Sequence, residues 1–277
     1  MKEFGGKVAA ITGAGSGIGR ALALNLARRG THLALCDIDE VGLSETVGQC
    51  EGFGVKVTSQ RLDVADRDAV YAWADQVVLD HGTVNLIFNN AGVALGATIE
   101  SMSYEDFEWL MQINFWGVVY GTKAFLPHLK ASGDGHIVNL SSVFGLISIP
   151  SQSAYNAAKF AVRGFTDALR MELEITPCGV SSTTIHPGGI KTNIVRNGRF
   201  DESSLTSVGA DPEQLRKDFD KIAFTTPKRA ARQILTAVER NRRRALIGPD
   251  AKMFDLLSRL PAGVYQRVLV AGAARRR

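Results

Sequence analysis

The sequence predicts an α/β fold: a single doubly wound domain built on a seven-stranded parallel sheet with helices on both faces. Three observations predict it. Short apolar runs rich in β-branched residues alternate with stretches of helical pattern along the chain, the signature of parallel strands joined by right-handed crossovers. The first run opens onto a glycine-rich turn and then a helical stretch, the layout that holds a phosphate. The polar and glycine motifs after later runs fall at strand ends, the edge where such sheets bind ligands. The 277 residues, 45% hydrophobic and 22% charged, suffice for one sizeable core. No repeat or low-complexity linker divides them, so we expect one domain over residues 1–277.

In order, residues 7–12 read as the first strand, followed by Gly13-Ala-Gly-Ser16-Gly17-Ile18-Gly19 and a helix over 20–29. The turn presents free backbone N–H groups and a helix N-terminus to a pyrophosphate. Its spacing is Gly-x-x-x-Gly-x-Gly, because position 18 is Ile and position 20 is Arg. A second strand over 32–36 ends in Asp37, eighteen residues beyond Gly19. A carboxylate there accepts hydrogen bonds from adenosine ribose hydroxyls and repels a 2′-phosphate, which points to NAD over NADP. The same Asp-Ile-Asp-Glu run is also good helix-start chemistry.

Further strands are expected at 55–62 before Asp63-Val64, at 84–88 before Asn89-Asn90-Ala91-Gly92, and at 136–140 before Ser141-Ser142. Two more fall at 180–185 before His186-Pro187-Gly188-Gly189, and at 244–247. Helical patterns over 68–81, 104–131 and 228–240 lie between them, as does the second half of 142–159. That last helix puts Tyr155 and Lys159 at i and i+4, on one face. A cation beside a phenol favours the phenolate, so the expectation is a Tyr155 pKa below its usual value of about 10 and proton exchange near neutral pH. Spacing alone also fits a solvated helix face; the context decides.

The context resembles the short-chain dehydrogenase/reductase family. Thr12-Gly13-x-x-x-Gly17-x-Gly19 is similar to its cofactor turn, and Asn89-Asn90-Ala91-Gly92 to its Asn-Asn-Ala-Gly element. Asn114 matches the family's helix asparagine, Ser142 its serine, Tyr155-x-x-x-Lys159 its tyrosine and lysine, and Pro187-Gly188 with Thr192 the element facing the nicotinamide. These matches run in order over residues 7–192. The resemblance implies a Rossmann-type fold and an NAD-dependent oxidoreductase acting on a secondary alcohol or its ketone. It implies that Tyr155 is the general acid/base, that Lys159 lowers its pKa and holds the nicotinamide ribose, and that Ser142 donates to the substrate oxygen. Asn114 would hold a water relaying protons from Lys159; an asparagine in an apolar helix equally satisfies a buried backbone group. Gly13, Ser16, Gly17, Ile18, Gly19 and Asp37 would bind the cofactor, Asp63 and Val64 would border its adenine, and Asn90, Ala91 and Gly92 would line its adenosine half. Pro187, Gly188 and Thr192 would face the nicotinamide, and Ile190 and Thr192 would bracket its carboxamide. A catalytically idle NAD(H) sensor and an NADPH-dependent carbonyl reductase are the alternatives.

Composition narrows the rest. Cys36, Cys50 and Cys178 are an odd set without Cys-x-x-Cys pairing, which reads as reduced thiols in a cytoplasmic protein. The start leads straight into a strand, with no room for a signal peptide, and no run reaches the length of a spanning helix. His81, His128, His136 and His186 lack metal-ligand spacing, so no metal is expected, and His186 reads as structural. Much of the +4 charge is C-terminal and not interleaved with aromatics, which argues against nucleic acid binding.

Residues 192–227 are polar with apolar points at Ile194, Val195, Phe200, Leu205, Leu215, Phe219, Ile222 and Phe224, the pattern of a lid over the site. With Phe144, Leu146, Ile147 and Ile149, they predict an apolar cleft for a bulky hydrophobic substrate. The helix at 104–131 carries too many apolar residues for one stripe, so a homodimer or homotetramer is expected. The extension at 251–277 is apolar and ends in Arg275, Arg276 and Arg277. It is expected to pack on the cleft, on a second subunit or on an anionic membrane surface.

Overall fold

The computed structural model describes residues 3–195, 197–201 and 223–274. Nine strands are described: β1 Val8–Thr12, β2 His32–Asp37, β3 Val57–Arg61, β4 Leu86–Asn89, β5 Leu95–Gly96, β6 Gly135–Leu140, β7 Val180–Pro187, β8 Arg199–Phe200 and β9 Arg244–Ile247. The helices are α1 Gly17–Ala27, α2 Glu40–Glu51, α3 Arg67–His81, α4 Tyr104–Met111, α5 Gly117–Ser132, α6 Ser153–Ile175, α7 Pro227–Glu239, α8 Pro249–Ser258 and α9 Ala262–Ala274. Seven strands form one parallel sheet in the order β3-β2-β1-β4-β6-β7-β9. The seven-stranded Rossmann-type architecture read from the sequence is therefore the observed one.

Strand side chains alternate between two faces, and both faces are covered. Ala9 and Ile11 of β1 pack with Leu22 and Leu26 of α1 and Ile234 and Val238 of α7. Val8 and Ala10 point the other way, toward Trp73 and Val77 of α3 and Phe125 and Leu129 of α5. The rings of Trp73 and Phe125 meet edge to face at 5.1 Å. Burial of each such side chain contributes about 1.5–3 kcal/mol, and covering both faces is why the strands read as continuous apolar runs. The strand order reverses between β1 and β4, opening the ligand crevice at their carboxyl ends.

Two features differ from expectation. The helix predicted over 104–131 is interrupted by a π-type turn, Gln112–Trp116, in which the Gly117 N–H reaches back to the Gln112 carbonyl. β5 and β8 form a separate two-stranded ribbon that no alternation pattern in the sequence announced. The 192–227 insertion starts across this ribbon, where Arg199 stacks on the Trp109 ring at 3.9 Å and pairs with Asp106 at 2.7 Å. Leu205, Leu215, Phe219 and Ile222, on which much of the lid expectation rested, lie outside the described residues, as do Arg275–Arg277.

Candidate active site

The cofactor end is built by the turn after β1. Gly13 and Gly17 adopt φ of 65° and 54°, a region that costs other residues strain. At Gly19 a Cβ would lie 2.1 Å from the Gly13 carbonyl oxygen. Ser16 occupies the position before α1 without a side-chain capping bond, whereas Asp39, Asp66, Ser103 and Thr226 cap α2, α3, α4 and α7. The first N–H groups of α1 are thus left to an anion. Asp37 lies over the turn: its carboxylate accepts from Gly15 N–H at 2.7 Å and Asp39 N–H at 2.9 Å. Arg20 ties the turn to α2, donating to the Gly15 carbonyl at 2.5 Å and to Glu45 at 2.8 Å, Thr46 at 2.9 Å and the Gly42 carbonyl at 3.1 Å. Free main-chain donors, a glycine cradle and an acceptor carboxylate fit a dinucleotide.

Asn90 braces this turn from β4, its Nδ2 donating to the Thr12 and Gly13 carbonyls at 2.8 and 3.1 Å. The N–H groups of Asn90 and Ala91 both donate to Thr12 Oγ1 at 3.0 Å. Asp63 is exposed and closes a turn on Ala65 N–H at 2.9 Å, while Val64 is buried. Thr192 lies against Gly17. Together with Arg20, Lys191 and Lys228 these two residues line an open groove of about 360 Å³.

At the catalytic end, Ser142 follows β6 and Tyr155 and Lys159 lie on the first turns of α6. The Ser142 oxygen accepts from Phe144 N–H at 3.1 Å, and its side chain acts on the Tyr155 phenol. The main-chain contact favours the serine as donor at the centre. Lys159 is buried, its ammonium 5.5 Å from the Tyr155 ring centre, and it donates to the Leu140 carbonyl at 3.0 Å. The expected lowering of the tyrosine pKa by Lys159 is not what the structure gives. Burial pushes Tyr155 up to about 12, with the Ser142 hydrogen bond a smaller opposing effect, and burial pulls Lys159 down to about 8. Desolvation penalises both charged forms.

The π turn aims Asn114 inward, where it is fully buried; π turns commonly mark functional positions. Its amide accepts from Val93 N–H and donates to the Val93 carbonyl, both at 2.8 Å. A Cβ on Gly92 would stand 3.1 Å from Asn114 Oδ1 and 3.6 Å from Lys159 Nζ, so Gly92 borders both side chains. His186 donates from Nδ1 to the Ser142 carbonyl at 2.8 Å and is held neutral, burial lowering it to about 4. It fixes the serine's main chain. Of the four residues expected to line the cleft, Leu146 and Ile147 are buried, whereas Phe144 meets Tyr155 edge to face at 6.2 Å.

One contributor escapes sequence reasoning. Asp250, in the first turn of α8, accepts from Gly189 N–H, and a Cβ on Gly188 would lie 2.1 Å from its carboxylate. Ile190 is buried and bridges Thr225 beside it. Asp250 thereby holds the turn at 187–190 that carries Pro187 and Gly188. A hydrogen bond to a charged group is worth about 1.5–3 kcal/mol, so Asp250→Ala is expected to raise the KM for the nicotinamide cofactor about 10-fold or more. Asp250→Asn keeps an acceptor and should lose less. Initial rates at varied cofactor concentration decide this, and an unchanged KM in both variants would remove Asp250 from the site.

With this geometry in view, comparisons place the chain. Residues 7–203 match the family model described as short chain dehydrogenase. SadH of Mycobacterium tuberculosis, named as an oxidoreductase, is 50% identical over 276 residues, covering 99% of this chain and 98% of its own. Human estradiol 17-beta-dehydrogenase 11 is 36% identical over 219 residues, covering 77% of this chain and 70% of its own. A short chain dehydrogenase/reductase from Burkholderia phymatum in complex with NAD superposes with a TM-score of 0.85 at 33% identity, covering 93% of this chain and 94% of its own. A turn that leaves α1 uncapped, a serine-tyrosine-lysine group at the sheet's carboxyl edge and these matches agree: the chain belongs to the short-chain dehydrogenase family.

Proposed function

We propose that the protein is an NAD-dependent short-chain alcohol dehydrogenase or ketoreductase that interconverts a bulky, hydrophobic secondary alcohol and its ketone, with Tyr155 as general acid/base. The observation that carries this reading is the buried Lys159 ammonium 5.5 Å from the Tyr155 ring centre, with Ser142 at the same strand end. When bound, the cofactor supplies hydride exchange and, in its oxidised form, a positive charge. The chain's own residues do the rest. Ser142 Oγ donates to the substrate oxygen, a contact that strengthens as negative charge builds there. Tyr155 Oη gives its proton to a ketone oxygen, or takes one from an alcohol, and its resting neutral form is the proton donor. Lys159 stabilises the phenolate whenever it forms, and its pKa of about 8 suits it to pass a proton on. The Asn114 amide is engaged with Val93, so a relaying water falls to the main chain of the π turn.

Asp37 over the glycine turn, with Arg20 turned toward α2, supports NAD over NADP. The apolar Phe144 at Tyr155 and the name of the relative estradiol 17-beta-dehydrogenase 11 support a large apolar substrate. Trp116 and Phe160, 41% and 38% exposed on the α4–α6 side, support pairing with a second copy into a homodimer or homotetramer. A cytoplasmic setting fits three free cysteines and the lack, among the described residues, of a helix long and apolar enough to cross a membrane.

The test is reduced-nicotinamide formation by the purified chain with NAD and with NADP, over secondary alcohols graded from small and polar to large and apolar. Turnover is expected with NAD on the large members. Preference for NADP would overturn the role of Asp37, turnover of small polar alcohols alone would overturn the apolar cleft, and NAD binding without turnover of any member would favour a sensor.

A further inference from the structure

The chain's net charge is confined to one segment. Overall there are 32 Lys and Arg against 28 Asp and Glu, and residues 261–277 hold four arginines and no acid, so residues 1–260 balance at 28 of each. The same segment contains α9, which is apolar nearly all round. Val264, Val268 and Val270 are 45, 58 and 62% exposed, with Arg267 beside them. Val264, Arg267 and Val268 stand at i, i+3 and i+4 and share one face. Next to it α8 exposes Met253 and Leu256, 60 and 69%. A helix apolar on all sides is ordinarily covered. Here two consecutive helices expose apolar residues.

We propose that α8 and α9, with the arginines that follow, dock the protein on an anionic lipid surface. The apolar side chains enter the headgroup boundary, and Arg267 with Arg275, Arg276 and Arg277 pairs with lipid phosphates. Charge decides between occupants. A second copy of the chain packed through the same face would bring two net-positive segments together, and like charges oppose that pairing. An anionic bilayer offers both the apolar depth and the opposite charge. α8 also packs against the turn at 143–145 and bonds Gly189 through Asp250, so docking would present the substrate side of the site to lipid. The docking proposal itself does not depend on the reading of the chemistry.

The experiment is flotation of the full chain with vesicles of phosphatidylcholine, with and without phosphatidylglycerol, at low and high salt. Binding is expected to the phosphatidylglycerol vesicles at low salt and to fall as salt screens the charges. Replacing Arg275, Arg276 and Arg277 with Gln should lower partitioning about 100-fold, at about fivefold per arginine. The double variant Val264→Asp/Val268→Asp should not float, with an unchanged circular-dichroism melting midpoint showing that it folds. No flotation of the wild-type chain, equal flotation on both vesicle types, or undiminished flotation of the double variant would each overturn the proposal. So would a dimer in size-exclusion chromatography that the double variant splits while the wild type ignores lipid.

Discussion

Tyr155→Phe is expected to lower kcat by about 10²–10⁴-fold while the affinity for NAD stays within a few-fold. The substitution keeps the ring that meets Phe144 at 6.2 Å and stands 5.5 Å from the Lys159 ammonium, and removes only the hydroxyl. Stability should fall by no more than about 1 kcal/mol, the net worth of one neutral hydrogen bond. A loss of rate without loss of fold or cofactor is therefore the signature of a missing proton carrier. The pH profile adds a second readout. With the phenol raised to about 12 in the free chain, alcohol oxidation should accelerate as pH rises, since ionised tyrosine is scarce at neutrality, and the variant's residual rate should lose that limb. Residual activity above a tenth of wild type, with the pH limb intact, would place the proton chemistry on another group.

A large effect on stability is expected on the acid side. His136 and His186 are buried and neutral, with burial lowering them to about 3 and about 4 from an ordinary value of 6.5. Below pH 6.5 the unfolded chain binds protons that the folded chain refuses. Stability is thus fully present above 6.5 and is lost as pH falls toward 4, by about 1.4 kcal/mol per unit for each histidine. From pH 6 to pH 4 the pair removes roughly 5 kcal/mol, comparable to the lower end of total domain stabilities of about 5–15 kcal/mol. Lys159 does not enter this window, because it is charged in both states there; its depressed value adds stability only as pH rises from about 8 toward 10.5. Urea midpoints measured across pH 4 to 7 should drop steeply for the wild type, and His186→Gln should flatten the slope by one proton. A midpoint that holds level between pH 6 and 4 would contradict the buried neutral state of both rings.

How much of this was legible in the chain differs from residue to residue. Gly13 to Gly19, Asn89 to Gly92, Ser142, Tyr155 and Lys159 stand in local motifs, and the structure brings them to one sheet edge. Local motifs are legible because the turn, the helix spacing and the strand end are decided within a few residues. Asp250 was not, since it acts on Gly189 across 61 positions and its Pro-Asp context reads as an ordinary helix start. The π turn that carries Asn114 was missed because one extra residue in a helix leaves no compositional trace, although the asparagine's bonds to the Val93 main chain are the backbone-satisfying role its apolar setting allowed. The tyrosine pKa was misjudged for a related reason. Spacing predicts that Lys159 is close, whereas the depth at which both side chains sit is a property of the packed fold, and depth wins over a 5.5 Å cation when the ammonium bonds Leu140 instead.

The position of β9 bears on how the protein is made. Its four residues seal the flank of β7, yet they follow β7 by more than 50 positions in the chain. At about 5–20 residues per second, a growing chain carries β7 as an open flank for several seconds. Its run Val180–Pro187 then presents unpaired main-chain groups on a strand rich in β-branched residues. Protein released early, before Arg244, would keep that flank for good and stick to others like it. The last strand is thus the step that makes the newborn chain safe to release.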